Sequence, residues 1–263
     1  MVNNLVHLYR QFGVTCRSIM AGLQEAKKLA AYKAVDDHVQ DNLIVGVGSG
    51  STAVLAVERM MERVRNEHLN IKCIPTSFQA RQLIIQSQLP LTNLEINPEI
   101  DVTIDGADEV DENLTCIKGG GACFLQEKIV AYNSKKLVII ADYTKDSVKL
   151  GQQWKKGIPL EVDPMAYYTV KTKIEKTMGG EAELRIGKMK AGPVITDGGN
   201  FILDWKDFNP ESNWEEVNME LLKIPGLFET GLFVDMAVVA YFGMSDGTVK
   251  VRTPKNAKDS CDC

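Results

Sequence analysis

Short apolar runs and longer stretches with an apolar residue every three or four positions take turns along this chain, and each change of period predicts a change of element. Leu23–His38 carries alanines and Leu29 at helical spacing beside Lys27 and Lys28, and Asn42–Val47 follows as a short apolar strand. Thr52–Asn66 is predicted as a second helix, Ile71–Pro75 as a second strand and Phe78–Ser87 as a third helix. The run Ile100–Ile104 predicts a strand centred on Val102–Ile104, Cys123–Asn133 a helix and Lys136–Ala141 a strand. Such a βαβα alternation implies a mostly parallel sheet covered by helices.

The rhythm changes after Gly157. Ile158–Val162, Ala182–Ile186 and Val194–Asp197 read as strands, and Met165–Met178 and Asn213–Leu222 as helices, which suggests a small α+β unit of ferredoxin-like character. Gly231–Phe242 returns to an apolar pattern, and Thr248–Val251 reads as a last strand. The expected fold is therefore α/β: a Rossmann-like, mostly parallel sheet with helices on both faces, plus a smaller ferredoxin-like α+β domain. Residues 23–152 and 225–263 would form the first, residues 153–224 the inserted second, and residues 1–22 an N-terminal extension. No internal repeat or low-complexity segment is visible.

With 263 residues, 44% hydrophobic and 25% charged, the chain can bury one large core or two smaller ones. A net charge of -5 argues against a nucleic-acid binder but leaves room for a small anion held by local lysines and backbone N–H groups. No apolar run approaches membrane-spanning length, so no membrane partner is expected. The six cysteines, at 16, 73, 116, 123, 261 and 263, lack CxxC pairs and disulfide density, so a reducing, cytoplasmic setting is the simpler reading. Cys261 and Cys263 form a polar last tail with weak chelating capacity at most. Arg10 and Arg17 without an acid faintly resemble a transit peptide, but an ordinary extension explains them better.

Two glycine-rich stretches carry the candidate chemistry. Gly46-Val-Gly-Ser-Gly-Ser-Thr52 lies between a strand and a helix, where glycines, helix-start N–H groups and the hydroxyls of Ser51 and Thr52 can hold a phosphate. It lacks the Gly-Lys-Ser/Thr ending of a triphosphate loop and the third glycine of a dinucleotide fingerprint, so a monophosphate ester suits it better than ATP or NAD. A capped strand-to-helix turn would explain the glycines but not the hydroxyl pair. Further on, Asp105-Gly-Ala-Asp-Glu-Val-Asp111 and Lys118-Gly-Gly-Gly-Ala-Cys-Phe-Leu-Gln-Glu127 put two carboxylate clusters around a lysine and a triple glycine. The bland reading is an acidic surface turn and a linker. A strand before them instead sets Asp105 and Asp108 at its carboxyl end, where open α/β sheets bind ligands. There Glu127 can take a proton from a carbon next to a carbonyl, while Lys118 and backbone N–H groups stabilise the developing oxyanion. Paired aspartates can shuttle hydroxyl protons. His7, His38 and His68 all lie outside these clusters, which disfavours a histidine mechanism.

Five motifs in order resemble ribose-5-phosphate isomerase, type A: Gly46–Thr52, Pro75-Thr-Ser-Phe-Gln-Ala80, Asp105–Asp111, Lys118–Ala122 with Gln126-Glu-Lys-Ile-Val130, and Thr196-Asp-Gly-Gly-Asn200. The likeness runs from about Leu23 to Val251. It implies interconversion of D-ribose 5-phosphate and D-ribulose 5-phosphate in the non-oxidative pentose phosphate pathway, with neither metal nor organic cofactor. Glu127 would move the proton between C2 and C1 through an enediolate, and Asp105, Asp108 and Lys118 would serve ring opening and the oxygens. Ser49, Gly50, Ser51 and Thr52, with Lys28 and Lys145, would receive the phosphate, and Gly106, Ala107, Gly119, Gly120 and Gly121 complete the implied substrate-binding set. The family also implies a homodimer or homotetramer. Ser49 stands where many members have threonine, and Thr144 precedes Lys145 where serine is common. Two other classes fit parts of the pattern: a sugar-phosphate-binding module, against which the intact Asp105, Asp108, Lys118 and Glu127 speak, and a coenzyme A transferase using a glutamyl thioester. Pro75–Ala80 reads as a capped helix start, Phe228–Phe233 as structural, and Asp197–Asn200 as a tight turn closing two strands.

Overall fold

The computed structural model describes residues 22–254; the N-terminal extension, Cys16 and the Cys261/Cys263 tail lie outside them. Helix α1 spans residues 22–38. After it come β1 (Ile44–Val47), α2 (Ser51–Glu67), β2 (Lys72–Pro75), α3 (Phe78–Gln86), β3 (Val102–Gly106), the short strands β4 (Glu109–Val110) and β5 (Cys116–Ile117), α4 (Phe124–Tyr132) and β6 (Leu137–Asp142). The remainder holds β7 (Ile158–Val162), α5 (Tyr167–Met178), β8 (Glu181–Leu184), β9 (Phe201–Lys206), α6 (Trp214–Leu222), β10 (Leu227–Thr230), β11 (Leu232–Phe233), β12 (Ala237–Gly243) and β13 (Val249–Arg252).

The large sheet runs β13-β12-β6-β3-β1-β2, parallel throughout except for the antiparallel edge strand β13. Strand β6 shows why both faces need cover. Val138 and Ile140 pack with α1, α2 and α3, while Leu137, Ile139 and Ala141 pack on the other side with Phe124 and Ala131 of α4. Alternate residues thus enter two cores, as a parallel sheet between helices requires. From β1 the chain moves outward to β2, then crosses back to β3 on the other side of β1. The carboxyl ends of β1 and β3 therefore flank a topological switch point, the place where such sheets form a crevice.

The second unit is a βαββαβ arrangement, β7-α5-β8-β9-α6-β10, whose antiparallel strands lie in the order β10-β7-β9-β8. This is the ferredoxin-like pattern expected, with two differences in its parts. Val194–Asp197 does not form a strand: its end is drawn into a turn in which Thr196 N–H donates to Asn200 O (2.9 Å) and Gly199 N–H to Thr196 O (2.9 Å), with Gly199 at φ +84°. The pairing strand is Phe201–Lys206 instead, burying Ile202, Leu203 and Trp205. Strand β10 pairs with β7, so the small sheet takes residues 227–230 from the stretch the sequence pattern assigns to the large unit. The apolar run from Gly231 to Phe242 is likewise split: β11 joins β5 and β4 in a three-stranded sheet, Asp235 turns the chain at φ +52°, and β12 enters the large sheet. No helix among the described residues is long and apolar enough to cross a membrane.

Candidate active site

At the end of β1 the chain passes so close to β3 that a Cβ on Gly48 would lie 2.0 Å from Asp105 Oδ1. Only glycine fits there. The loop is then tied down by its own polar groups. Ser49 N–H donates to Asp105 Oδ1 (3.0 Å), Ser49 Oγ donates to Ser77 Oγ (2.6 Å) and touches Thr76 Oγ1 (2.9 Å), and Gly50 N–H donates to Gln79 Oε1 (2.9 Å). Ser77 also caps α3 by accepting from Ala80 N–H at 3.0 Å. The groups left able to hold an anion are those at the start of α2, whose first N–H groups have no acceptor within the helix. The hydroxyls of Ser51 and Thr52 stand beside them, and Lys27 Nζ lies 3.0 Å from Ser51 Oγ. Lys28, implied by the resemblance as a phosphate ligand, is placed elsewhere. One residue on in a helix is about 100° around its axis, and Lys28 is exposed with Nζ 5.1 Å from the Tyr32 ring centroid.

A buried charge triad sits beside this loop. Asp105 is the last residue but one of β3, Lys118 follows β5, and Glu127 lies in the first turn of α4. Lys118 Nζ is 3.0 Å from Asp105 Oδ2 and 3.1 Å from Glu127 Oε2, and it donates to the Gly106 carbonyl. All three side chains are at most 6% exposed. Asp105 Oδ2 and Glu127 Oε2 make no well-angled hydrogen bond, so the ammonium's charge is what holds them. Burial pulls the Lys118 pKa down, but Asp105 and Glu127 outweigh it and hold the group well above its ordinary value. Glu127 is pushed up to about 7, first by burial and then by the Asp105 charge, against the opposing pull of Lys118. Its Oε1 accepts from Cys123 Sγ at 3.3 Å. Asp108 is raised by burial, although its Oδ2 accepts from Gly120 N–H at 2.7 Å.

These groups meet in a cavity of about 260 Å³. Of the residues singled out in the sequence, Ser49, Gly50, Ser51, Thr52, Gly106, Ala107, Asp108, Lys118, Gly119, Gly120, Gly121, Glu127 and Lys145 line it. Asp105 does not: it is 1% exposed and reaches the cavity through Lys118 and the Ser49 backbone. Lys27, Ala141 and Asp142 line it without having been picked out. Asp142 Oδ1 accepts from Thr144 N–H (3.0 Å) and from the Thr144 hydroxyl, capping the short 3-10 turn Tyr143–Lys145 that carries Lys145. An acid at a strand end followed two residues later by threonine is the signal that could have found it.

Residues 72–247 match the family model described as Ribose 5-phosphate isomerase A (phosphoriboisomerase A). The chain belongs to this family. It is 57% identical over 235 residues to the ribose-5-phosphate isomerase of Sus scrofa, covering 89% of this chain and 76% of that one. With the Dictyostelium discoideum ribose-5-phosphate isomerase it shares 54% identity, over 88% of this chain and 99% of the relative. Among solved structures, ribose 5-phosphate isomerase A from Methanocaldococcus jannaschii superposes with a TM-score of 0.80 at 42% identity, covering 86% and 98% of the two chains. A D-ribose-5-phosphate isomerase in complex with phospho-erythronic acid gives 0.83 at 38% identity, covering 88% and 99%.

For a ribose 5-phosphate isomerase A the arrangement offers three chemical functions in one cavity. The α2 start with Lys27 can seat an anion. Glu127, with its pKa raised to about 7 in a buried site, has the chemistry to carry a proton. Lys118, fixed between two carboxylates, is a permanent cation against which negative charge on oxygen can develop without reorganisation.

Proposed function

We propose that this isomerase interconverts D-ribose 5-phosphate and D-ribulose 5-phosphate by carrying a proton between C2 and C1 on Glu127. The observation that carries the reading is the Glu127 carboxylate buried against the Lys118 ammonium at 3.1 Å, with its pKa raised to about 7. Starting from the open-chain aldose, Glu127 takes the C2 proton. The C–H electron pair becomes the C1=C2 bond and the carbonyl π pair moves to O1, giving an enediolate whose charge Lys118 offsets. Return of the proton to C1, with transfer of the O2 hydroxyl proton to O1, completes the ketose. Asp108, in the cavity wall with its pKa raised by burial, is suited to that hydroxyl transfer. Asp105 touches no cavity surface and acts by holding Lys118 and Ser49. Ser51, Thr52, Lys27 and Lys145 would take the phosphate.

The reading places the chain in the non-oxidative pentose phosphate pathway. A cytoplasmic setting is supported by the free thiols of Cys73, Cys116 and Cys123. Assembly into a homodimer or homotetramer is supported by large apolar side chains left on the surface, Ile96 and Tyr132 among them. The test is isomerisation of D-ribose 5-phosphate by metal-stripped protein, wild type beside Glu127→Gln. Turnover should survive a chelator and fall by roughly two to four orders of magnitude in the variant, the range for a lost general base. A folded wild type that binds the sugar phosphate without converting it would overturn the proposal.

A further inference from the structure

The Thr196-Asp-Gly-Gly-Asn200 segment lies in the small unit, yet one of its side chains reaches the large one. Asp197 Oδ2 accepts from Phe78 N–H, the first N–H of α3, at 2.9 Å, across 119 positions of sequence. The turn that presents Asp197 is itself anchored: buried Glu161 of β7 accepts from the Thr196 hydroxyl (2.7 Å) and from the Asn200 side-chain amide (2.9 Å) through Oε1. On the far side, the α3 start is what braces the anion loop, through Ser77 to Ser49 Oγ and Gln79 to Gly50 N–H. A continuous hydrogen-bonded line thus runs from the core of the small sheet to the loop that opens α2.

We infer that Asp197 is a positioning residue for the substrate phosphate, clasping α3 so that Ser77 and Gln79 hold the Ser49–Gly50 loop in its anion-binding shape. This role rests on the isomerase reading for its substrate, but not for its geometry. The clasp sits two links from the anion, so it governs how well the anion seat is preformed and leaves the Glu127 chemistry alone. A loop whose ordering must be completed on binding weakens affinity, and the loss appears in KM more than in kcat.

Two substitutions remove the same bond from opposite ends. Asp197→Ala deletes the acceptor at an exposed position. Phe78→Pro deletes the donor: proline is well tolerated in the first turn of a helix, Ser77 before it already has extended backbone (φ -165°, ψ 170°), and the Phe78 ring is 67% exposed. Steady-state kinetics with D-ribose 5-phosphate and competition by inorganic phosphate are then measured for wild type, both single variants and the double variant. Each single variant is expected to raise both KM and the phosphate inhibition constant about threefold to tenfold, the worth of one hydrogen bond, with kcat within about twofold. The double variant should be no worse than either single one, because both remove one interaction, and Asp197→Asn should recover most of the loss by keeping the acceptor. Unchanged KM and phosphate inhibition in Asp197→Ala, or effects that multiply in the double variant, would overturn the inference. Direct titration of inorganic phosphate onto the same proteins by calorimetry reads the clasp even if the wild type fails to isomerise the sugar, so the two proposals fail separately.

Discussion

Cys123 Sγ donates to Glu127 Oε1 across 3.3 Å, while Glu127 Oε2 faces the Lys118 ammonium at 3.1 Å. A thiol is a weak donor, so it orients the carboxylate while taking less from its basicity than a hydroxyl would. The groups bearing on Glu127 are Asp105, whose charge adds to burial in raising it, and Lys118 and Cys123, which oppose them and leave it near 7. A base must be ionised to act, so kcat/KM is expected to fall as pH drops through about 7. Cys123→Ala removes the donor and should move that acid limb upward; Cys123→Ser supplies a stronger donor and should move it downward. Profiles of kcat/KM against pH for the three proteins check this, and superimposable limbs would remove the thiol from any tuning role.

Lys118 stands between two buried carboxylates, Asp105 and Glu127. Lys118→Met keeps the volume but leaves Asp105 and Glu127 unpaired and facing each other, a situation that costs about 3–5 kcal/mol when a buried pair is broken. Urea denaturation should show that loss together with abolished turnover. The double variant Lys118→Met/Glu127→Gln removes one of the stranded charges, so it should regain part of the stability and none of the activity. A single variant as stable as wild type would show that water reaches the triad.

Gly48 is predicted to be irreplaceable for a steric reason. A Cβ there would stand 2.0 Å from Asp105 Oδ1 and 2.6 Å from Asp105 Cα, so relief requires the backbone of the loop or of β3 to move. Gly48→Ala should therefore keep its circular dichroism but lose most of its turnover, since both the Ser49 N–H bond to Asp105 and the Asp105–Lys118 pair shift with it. Normal kinetics in that variant would mean that the loop rearranges freely.

The large sheet was legible because its elements carry patterns sustained enough to be counted: β6 is apolar from Leu137 to Ala141, and α2 turns Ala53, Leu55, Ala56, Val57 and Met60 inward. The small unit was harder to read. Val194 and Ile195 look as β-prone as Phe201–Leu203, but Thr196 and Asn200 bond to a buried glutamate and close a turn, a tertiary demand that no local period records. The site divided in the same way. Residues on the two glycine-rich loops were visible as chemistry at strand ends, whereas the indirect place of Asp105 and the partnership of Cys123 with Glu127 depend on how separate elements pack.

The two neighbouring lysines of α1 offer the sharpest check on the anion seat. Lys27 Nζ lies 3.0 Å from Ser51 Oγ and lines the cavity, while Lys28 points toward the Tyr32 ring at 5.1 Å and is exposed. A phosphate at the start of α2 would meet the Lys27 charge directly, and charge-assisted hydrogen bonds are the strong ones. Lys27→Ala should raise KM for D-ribose 5-phosphate about tenfold or more, as expected for losing a hydrogen bond to a charged group, and should weaken the dependence of KM on ionic strength. Lys28→Ala loses an exposed cation on an aromatic ring, worth about 0.5–1 kcal/mol to the fold, and should bind substrate as the wild type does. Measuring KM at low and moderate salt for both variants decides the matter: a larger effect from Lys28 than from Lys27 would rotate α1 relative to the loop and move the anion seat with it.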